Sequence, residues 1–355
     1  MSMEKTLMKG NEAIAEAAVR GGCRFFAGYP ITPQNEIPEY LSARLPEVGG
    51  TFIQSESEVS AINMVYGAAS AGARAMTSSS SPGISLKQEG ISYIACGQIP
   101  CVIINMVRGG PGLGTIYPGQ ADYFQAVKGG GHGDYKLLVY TPATVQEAVD
   151  ITYKSFEMAD KYRIPVMILG DGTIGQMMEP VVLPEMKDPA TFPSKEDWAL
   201  TGCKGRAKNY MTTLDMNPDR LEAITDRLFE VYEQIRQNDV EYEEYMCDDA
   251  ETIVVAYGIV SRVAKAAVNV LRAQGQKVGL FRPITVSPYP DKALTALAEK
   301  ACVKKFLVAE LSKGQMVEDV RLIVNGKKPV EFYGRTGGHV INTEELIEVI
   351  EGGKR

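Results

Sequence analysis

Cysteine is sparse in this chain and poorly spaced for a metal. The six are Cys23, Cys96, Cys101, Cys203, Cys247 and Cys302, with no CxxC pair among them. Cys96 and Cys101 stand close together but have no third or fourth partner nearby. An iron–sulfur or zinc site carried by this chain alone is therefore not expected, and most of the cysteines are expected to be buried free thiols. No apolar run reaches the roughly 18 residues of a membrane span. Met1–Thr6 lacks a basic start followed by an apolar run, so no secretory leader is expected and the protein is expected in the cytoplasm. Positive charge is not in excess either. Lys and Arg number 37 against 44 Asp and Glu, a net charge of −7, and no basic face is visible, which argues against nucleic acid as a partner. With 45% hydrophobic and 23% charged residues the chain is not a disordered one.

The 35 glycines of the 355 residues suit tight turns and close approach of backbone to ligands. At about 150 residues per domain the length suggests two domains. Short apolar strands alternate with helices over residues 1–183. The strands are Phe25–Pro30, Ala75–Thr77, Cys101–Val107, Leu137–Tyr140 and Val166–Leu169, and the helices are Asn11–Arg20, Glu56–Ala73 and Thr144–Asp160. Thr144 and Glu147 have capping-box spacing. From 184 to 248 prolines interrupt the pattern, and a linker with one charged surface helix, about Asp219–Tyr245, is expected. Alternation returns over 249–355, with strands Thr252–Gly258, Lys277–Phe281 and Lys305–Glu310. The class is α/β, with two doubly wound parallel-sheet domains.

Few residues stand out chemically. Glu58 falls on the face of Ile62 and Val65, where a carboxylate is costly without a partner. It also falls at a helix start, where a solvated carboxylate complements the helix dipole, and spacing alone favours this second reading. Thr32 follows a strand end, where open α/β sheets bind ligands, or is a turn residue between Pro30 and Pro33. Arg108 ends the most apolar strand and has the fork geometry for a carboxylate, or is a solvated strand-end arginine. The loop Ser78–Gly83 has hydroxyls and amides suited to an anion but lacks the spacing and lysine of a P-loop. Gly170-Asp171-Gly172 looks like the start of a Mg²⁺-diphosphate motif. No asparagine follows from Asp171 to Lys208, so it is read as a strand-end turn. His132, in the run Gly129-Gly130-Gly131, is either an active-site contact or a loop histidine.

In order along the chain, these residues resemble a known family. Glu58, nine residues before Gly67 in a helix rich in small residues, resembles the glutamate of thiamine-diphosphate enzymes. Tyr29-Pro30-Ile31-Thr32-Pro33, Ser79-Ser80-Ser81-Pro82-Gly83 and Arg108-Gly109-Gly110-Pro111 resemble the alpha subunit of 2-oxoacid:ferredoxin oxidoreductases. Gly279–Thr285 and Gly314–Arg321 are similar to its second domain. Within the family the branched-chain type, acting on 2-oxoisovalerate, fits best.

The resemblance implies a first domain with the pyrimidine-binding fold of thiamine-diphosphate enzymes and a second like the transketolase C-terminal domain. It implies that Glu58 is the catalytic carboxylate at N1′ of the cofactor, with Pro30, Ser81 and Pro82 bordering that cofactor. Thr32 and Arg108 contact the 2-oxoacid, and no metal is held by this chain. Thiamine diphosphate sits at an interface with a beta subunit that carries the diphosphate and Mg²⁺ site. A ferredoxin-like subunit carries the [4Fe–4S] clusters. The reaction implied is coenzyme A-dependent oxidative decarboxylation to acyl-CoA, CO₂ and reduced ferredoxin, and the chain alone is inactive. The alternatives are the same reaction on 2-oxoglutarate or pyruvate, or a non-catalytic subunit of such a complex.

Overall fold

Two mainly parallel sheets carry the described residues, beside a small antiparallel pair of Thr6–Lys9 and Met178–Val181. The computed structural model describes residues 5–353. Met1–Glu4, on which the leader reading partly rests, lie outside the described residues. The first sheet has seven strands, in the order Thr285–Ser287, Leu138–Tyr140, Pro165–Asp171, Cys101–Val107, Ala75–Ser79, Phe25–Gly28, Thr51–Gln54. All its pairings are parallel except that of the edge strand Thr285–Ser287. Cys101–Val107 and Pro165–Asp171 are buried along their whole length, which is why they read as continuous apolar runs. The chain leaves Phe25–Gly28 for one side of the sheet and returns on the other with Ala75–Ser79. This is a topological switch point, and its strand ends open a crevice.

The second sheet has five strands, in the order Val330–Gly334, Lys305–Glu310, Thr252–Val255, Val278–Pro283, Tyr242–Tyr245. Its last strand corrects the helix expected over about Asp219–Tyr245. That helix runs Pro218–Asn238, and Tyr242–Tyr245 pairs antiparallel with Val278–Pro283. The reason is tertiary. Tyr242 stacks on Phe281, while Glu243 pairs with Lys265 and Arg282, so successive residues find partners that only a strand delivers. The capping box at Thr144 is half formed. Thr144 accepts the Glu147 amide at 3.1 Å, but the Glu147 carboxylate accepts from Ala143 N and pairs with Arg282 of the second sheet.

A strap over residues 184–217 runs along the first sheet without joining it. Arg74 donates to Asp160 at 2.8 Å, Lys195 of the strap pairs with the other Asp160 oxygen at 2.6 Å, and Phe192 stacks on the Arg74 guanidinium at 3.7 Å. A Cβ at Gly22 would stand 2.3 Å from Phe192, so only glycine leaves room for that ring. Of the cysteines, Cys23, Cys101 and Cys247 are buried, Cys96 and Cys302 are partly exposed, and Cys203 in the strap is exposed, so fewer are buried than composition implied. No helix among the described residues is long and apolar enough to cross a membrane.

Gln120 joins the two sheets. Its side chain donates to Tyr257 O at 3.0 Å and accepts from Leu311 N at 2.9 Å, and its carbonyl accepts from the Tyr257 hydroxyl at 3.2 Å. The two sheets therefore meet at the side where the strands of the first sheet end.

Candidate functional site

The crevice at the switch point gathers most of the residues singled out above. Ser57 accepts the Ser60 amide at 3.2 Å and starts the helix Glu58–Ser70, so Glu58 is its first residue. Glu58 is nonetheless buried, at 7% exposure, which overturns the solvated reading that spacing favoured. It lies against the start of the next helix, Pro82–Cys96. A Cβ added to Gly83 would stand 2.7 Å from Glu58 Oε1 and 2.0 Å from Ser79 Oγ. Glycine at 83 is thus what lets the carboxylate lie over the turn. The hydroxyls of Ser79 and Ser80 are buried there without a protein partner.

Ser81 joins the strand Ala75–Ser79 to that helix with φ 25°, a conformation that costs a non-glycine residue about 1–3 kcal/mol. Three contacts hold it. Its amide donates to Asn105 Oδ1 at 3.1 Å, its Oγ accepts the Arg108 amide at 3.1 Å, and the same hydroxyl lies 3.4 Å from Arg108 O. Asn105 also donates to Asp122 at 3.0 Å, where burial pushes the Asp122 carboxyl above its ordinary range.

Arg108 is buried and ties the crevice together. One terminal nitrogen donates to Thr32 O at 2.9 Å, the other to Leu113 O at 2.8 Å, and Nε is buried without a partner. Its fork is thus engaged by backbone carbonyls. A cleft of about 460 Å³ opens beside Thr32, lined in part by Pro33, Ile116, Tyr117 and Gln176. Thr32, Ser81, Pro82, Arg108 and Glu58 therefore form one rim across four neighbouring strand ends. Pro30 lies two residues past its strand and is exposed.

Two other candidates remain, and Gly172 of the first lines the cleft beside Thr32. Asp171 accepts the amides of Thr173 and Ile174 and starts the short helix Gly172–Gln176, as a strand-end turn should. Burial raises its carboxyl to about 6, and the amide of Ile259 from the second sheet's first helix also bonds it. Its oxygens are spent on backbone, and among the described residues no three His, Cys, Asp or Glu side chains gather to hold a metal ion. His132 is exposed, edge-on to Tyr93 with ring centres 5.9 Å apart. Tyr93 is ten residues of helix beyond Gly83, about 15 Å, so His132 is outside the crevice.

Sequence reasoning missed Lys87. It is fully buried, and its Nζ donates to Thr77 Oγ1 at 3.1 Å and to Glu58 O at 3.5 Å. Burial lowers it to about 8, with the Glu58 charge opposing. Between that value and 10.5 the unfolded chain binds more protons than the folded one. Stability from this group therefore rises with pH across the window, and below pH 8 it costs on the order of 3 kcal/mol. A signal was present: Ile84, Lys87 and Ile91 are spaced i, i+3, i+7, which puts a charge on an apolar stripe.

The chain resembles known proteins along nearly its whole length. Residues 16–247 match the family model described as pyruvate flavodoxin/ferredoxin oxidoreductase, thiamine diphosphate-binding, and residues 250–346 match pyruvate:ferredoxin oxidoreductase core domain II. A ketoisovalerate oxidoreductase subunit from Methanothermobacter thermautotrophicus is 48% identical over 98% of this chain and 97% of its own length. The structure of a 2-oxoglutarate:ferredoxin oxidoreductase from Magnetococcus marinus, with 2-oxoglutarate, coenzyme A and succinyl-CoA bound, superposes with a TM-score of 0.89 at 26% identity. That match covers 98% of this chain, which spans 65% of the Magnetococcus chain. A split-gene transketolase shares the fold alone, with a TM-score of 0.59 at 14% identity over 97% of each chain.

Proposed function

The chain belongs to the 2-oxoacid:ferredoxin oxidoreductase family, and from that premise we propose that it is the subunit that presents Glu58 to thiamine diphosphate in a complex oxidising a branched-chain 2-oxoacid. The observation that carries this reading is the buried Glu58 carboxylate, cradled over Gly83 at the switch-point crevice. The residues present fit one half of the cofactor. A buried carboxylate suits N1′ of the aminopyrimidine, and the unpartnered hydroxyls of Ser79 and Ser80 suit a polar ring edge. The diphosphate and its Mg²⁺ have no such fit, because Asp171 is occupied by backbone amides. A partner beta subunit supplies that half in this reading. The exposed apolar residues Val59, Met64 and Leu86, on the helices that hold Glu58 and Gly83, are the surface it would cover.

Thiamine diphosphate, when bound, supplies the electron sink that lets a 2-oxoacid lose CO₂. Glu58 holds a proton at N1′ and orients the ring. Thr32 lines the cleft where the 2-oxoacid enters, and Arg108 fixes Thr32 through its carbonyl, with Nε left to meet a substrate carboxylate. Ser81, Pro82 and Pro30 border the cofactor. A ferredoxin-like subunit would hold the [4Fe–4S] clusters that carry electrons to ferredoxin, coenzyme A would take the acyl group, and the complex would act in the cytoplasm. The branched-chain substrate rests on the 48% identity with the ketoisovalerate subunit, against 34–36% with 2-oxoglutarate synthase subunits.

The test is turnover of the anaerobically reconstituted complex with a viologen acceptor. We expect 2-oxoisovalerate to exceed 2-oxoglutarate and pyruvate in kcat/KM, and the isolated chain to be inactive. A preference for 2-oxoglutarate would overturn the substrate, and activity of the single chain would overturn the shared site. Gly83→Ala is expected to lower kcat about 10²-fold, because its methyl group must displace Ser79 or the Glu58 carboxylate. Steady-state rates at saturating cofactor check this.

A further inference from the structure

Lys87 has no part in the chemistry assigned so far, yet its position is specific. It lies one turn after Gly83 in the helix Pro82–Cys96. Helical side chains lean toward the N-terminus of their helix, so Lys87 reaches back toward Gly83 and Glu58. At its end the ammonium meets only the Thr77 hydroxyl and the Glu58 carbonyl, and no carboxylate oxygen among the described residues pairs with it directly. A fully buried ammonium held by neutral oxygens works against folding. Methionine would fill the same stripe between Ile84 and Ile91 without that cost. A charge kept where an apolar residue would serve the fold better is a functional candidate.

We propose that Lys87 is a positioning residue for Glu58: its ammonium anchors the first turn of the Glu58 helix through the Glu58 carbonyl and supplies the positive charge that orients the carboxylate toward the cofactor pyrimidine. The inference rests on the cofactor assignment above. Glu58 is the charged group that faces Lys87 from the helix Glu58–Ser70, and Thr77 from the strand Ala75–Ser79 does not titrate. As pH rises past about 8, Lys87 gives up its proton, and the orienting charge goes with it.

The experiment compares Lys87→Met, Lys87→Gln and Glu58→Gln in the reconstituted complex. It measures kcat, KM for the 2-oxoacid, melting temperature, and thiamine diphosphate affinity by calorimetry of the cofactor-depleted complex. Lys87→Met is expected to lower kcat about 10-fold and to weaken cofactor binding, with KM unchanged within about 2-fold and the melting temperature at or above that of the wild type. The wild-type kcat should fall above about pH 8, and both Lys87 variants should lack that limb. Lys87→Gln retains a donor without the charge and should behave like Lys87→Met; if Lys87→Met fails to assemble, Lys87→Gln decides alone. Wild-type rates with an intact alkaline limb in either variant overturn the inference, as does a loss of melting temperature in step with activity. Full activity in Glu58→Gln would instead overturn the cofactor assignment.

Discussion

Glu58→Gln in the assembled complex is expected to lower kcat about 10³-fold, with little change in melting temperature. Glutamine has nearly the same volume, so it fits over Gly83 as the carboxylate does. What it lacks is the negative charge that holds a proton at N1′ of the pyrimidine. The helix N-terminus at Ser57–Glu58 favours that charge, so the first turn loses only a few tenths of a kcal/mol when it is removed. Single-turnover reduction of the viologen acceptor, which separates chemistry from product release, is the decisive measurement. A variant with more than a tenth of wild-type activity would mean that the buried carboxylate is structural.

Arg74→Ala is expected to destabilise the chain by about 3–5 kcal/mol, the usual result of breaking one side of a buried ion pair. Arg74 and Asp160 are each about 4% exposed at the side chain, and Lys195 completes the pair from the strap. Loss of the guanidinium leaves Asp160 with Lys195 alone, removes the bond to Gly21 O, and strips the Phe192 ring of its stacking partner. The strap should detach before the sheets unfold. Limited proteolysis between 184 and 217 should therefore accelerate more than the loss of the global transition in a denaturant titration. Equal resistance to protease would show that the strap is held by other contacts.

Much of the core was readable from pattern. Cys101–Val107 and Lys305–Glu310 match the expected strands residue for residue, because the middle of a strand buried on both faces is mostly apolar. The end of the helix after Pro218 was not readable. The partners that draw Tyr242–Tyr245 into a strand, Phe281 and Lys265, are 20 to 40 residues away in sequence. The candidate site divides in the same way. Thr32, Arg108 and Ser81–Pro82 were visible as an ordered set of motifs, whereas their mutual contacts depend on strands being neighbours.

The sequence by itself determined the class of the fold, the strands of its core and the residue types available for chemistry, because periodicity and composition are local properties. Only the tertiary structure decided that Glu58 is buried rather than solvated, since that depends on the missing side chain of Gly83, 25 residues later. It alone placed Lys87 against the Glu58 carbonyl and showed the Arg108 fork engaged by Thr32 and Leu113. Burial and pairing belong to which elements become neighbours in space, and spacing along one helix carries no record of what packs upon it.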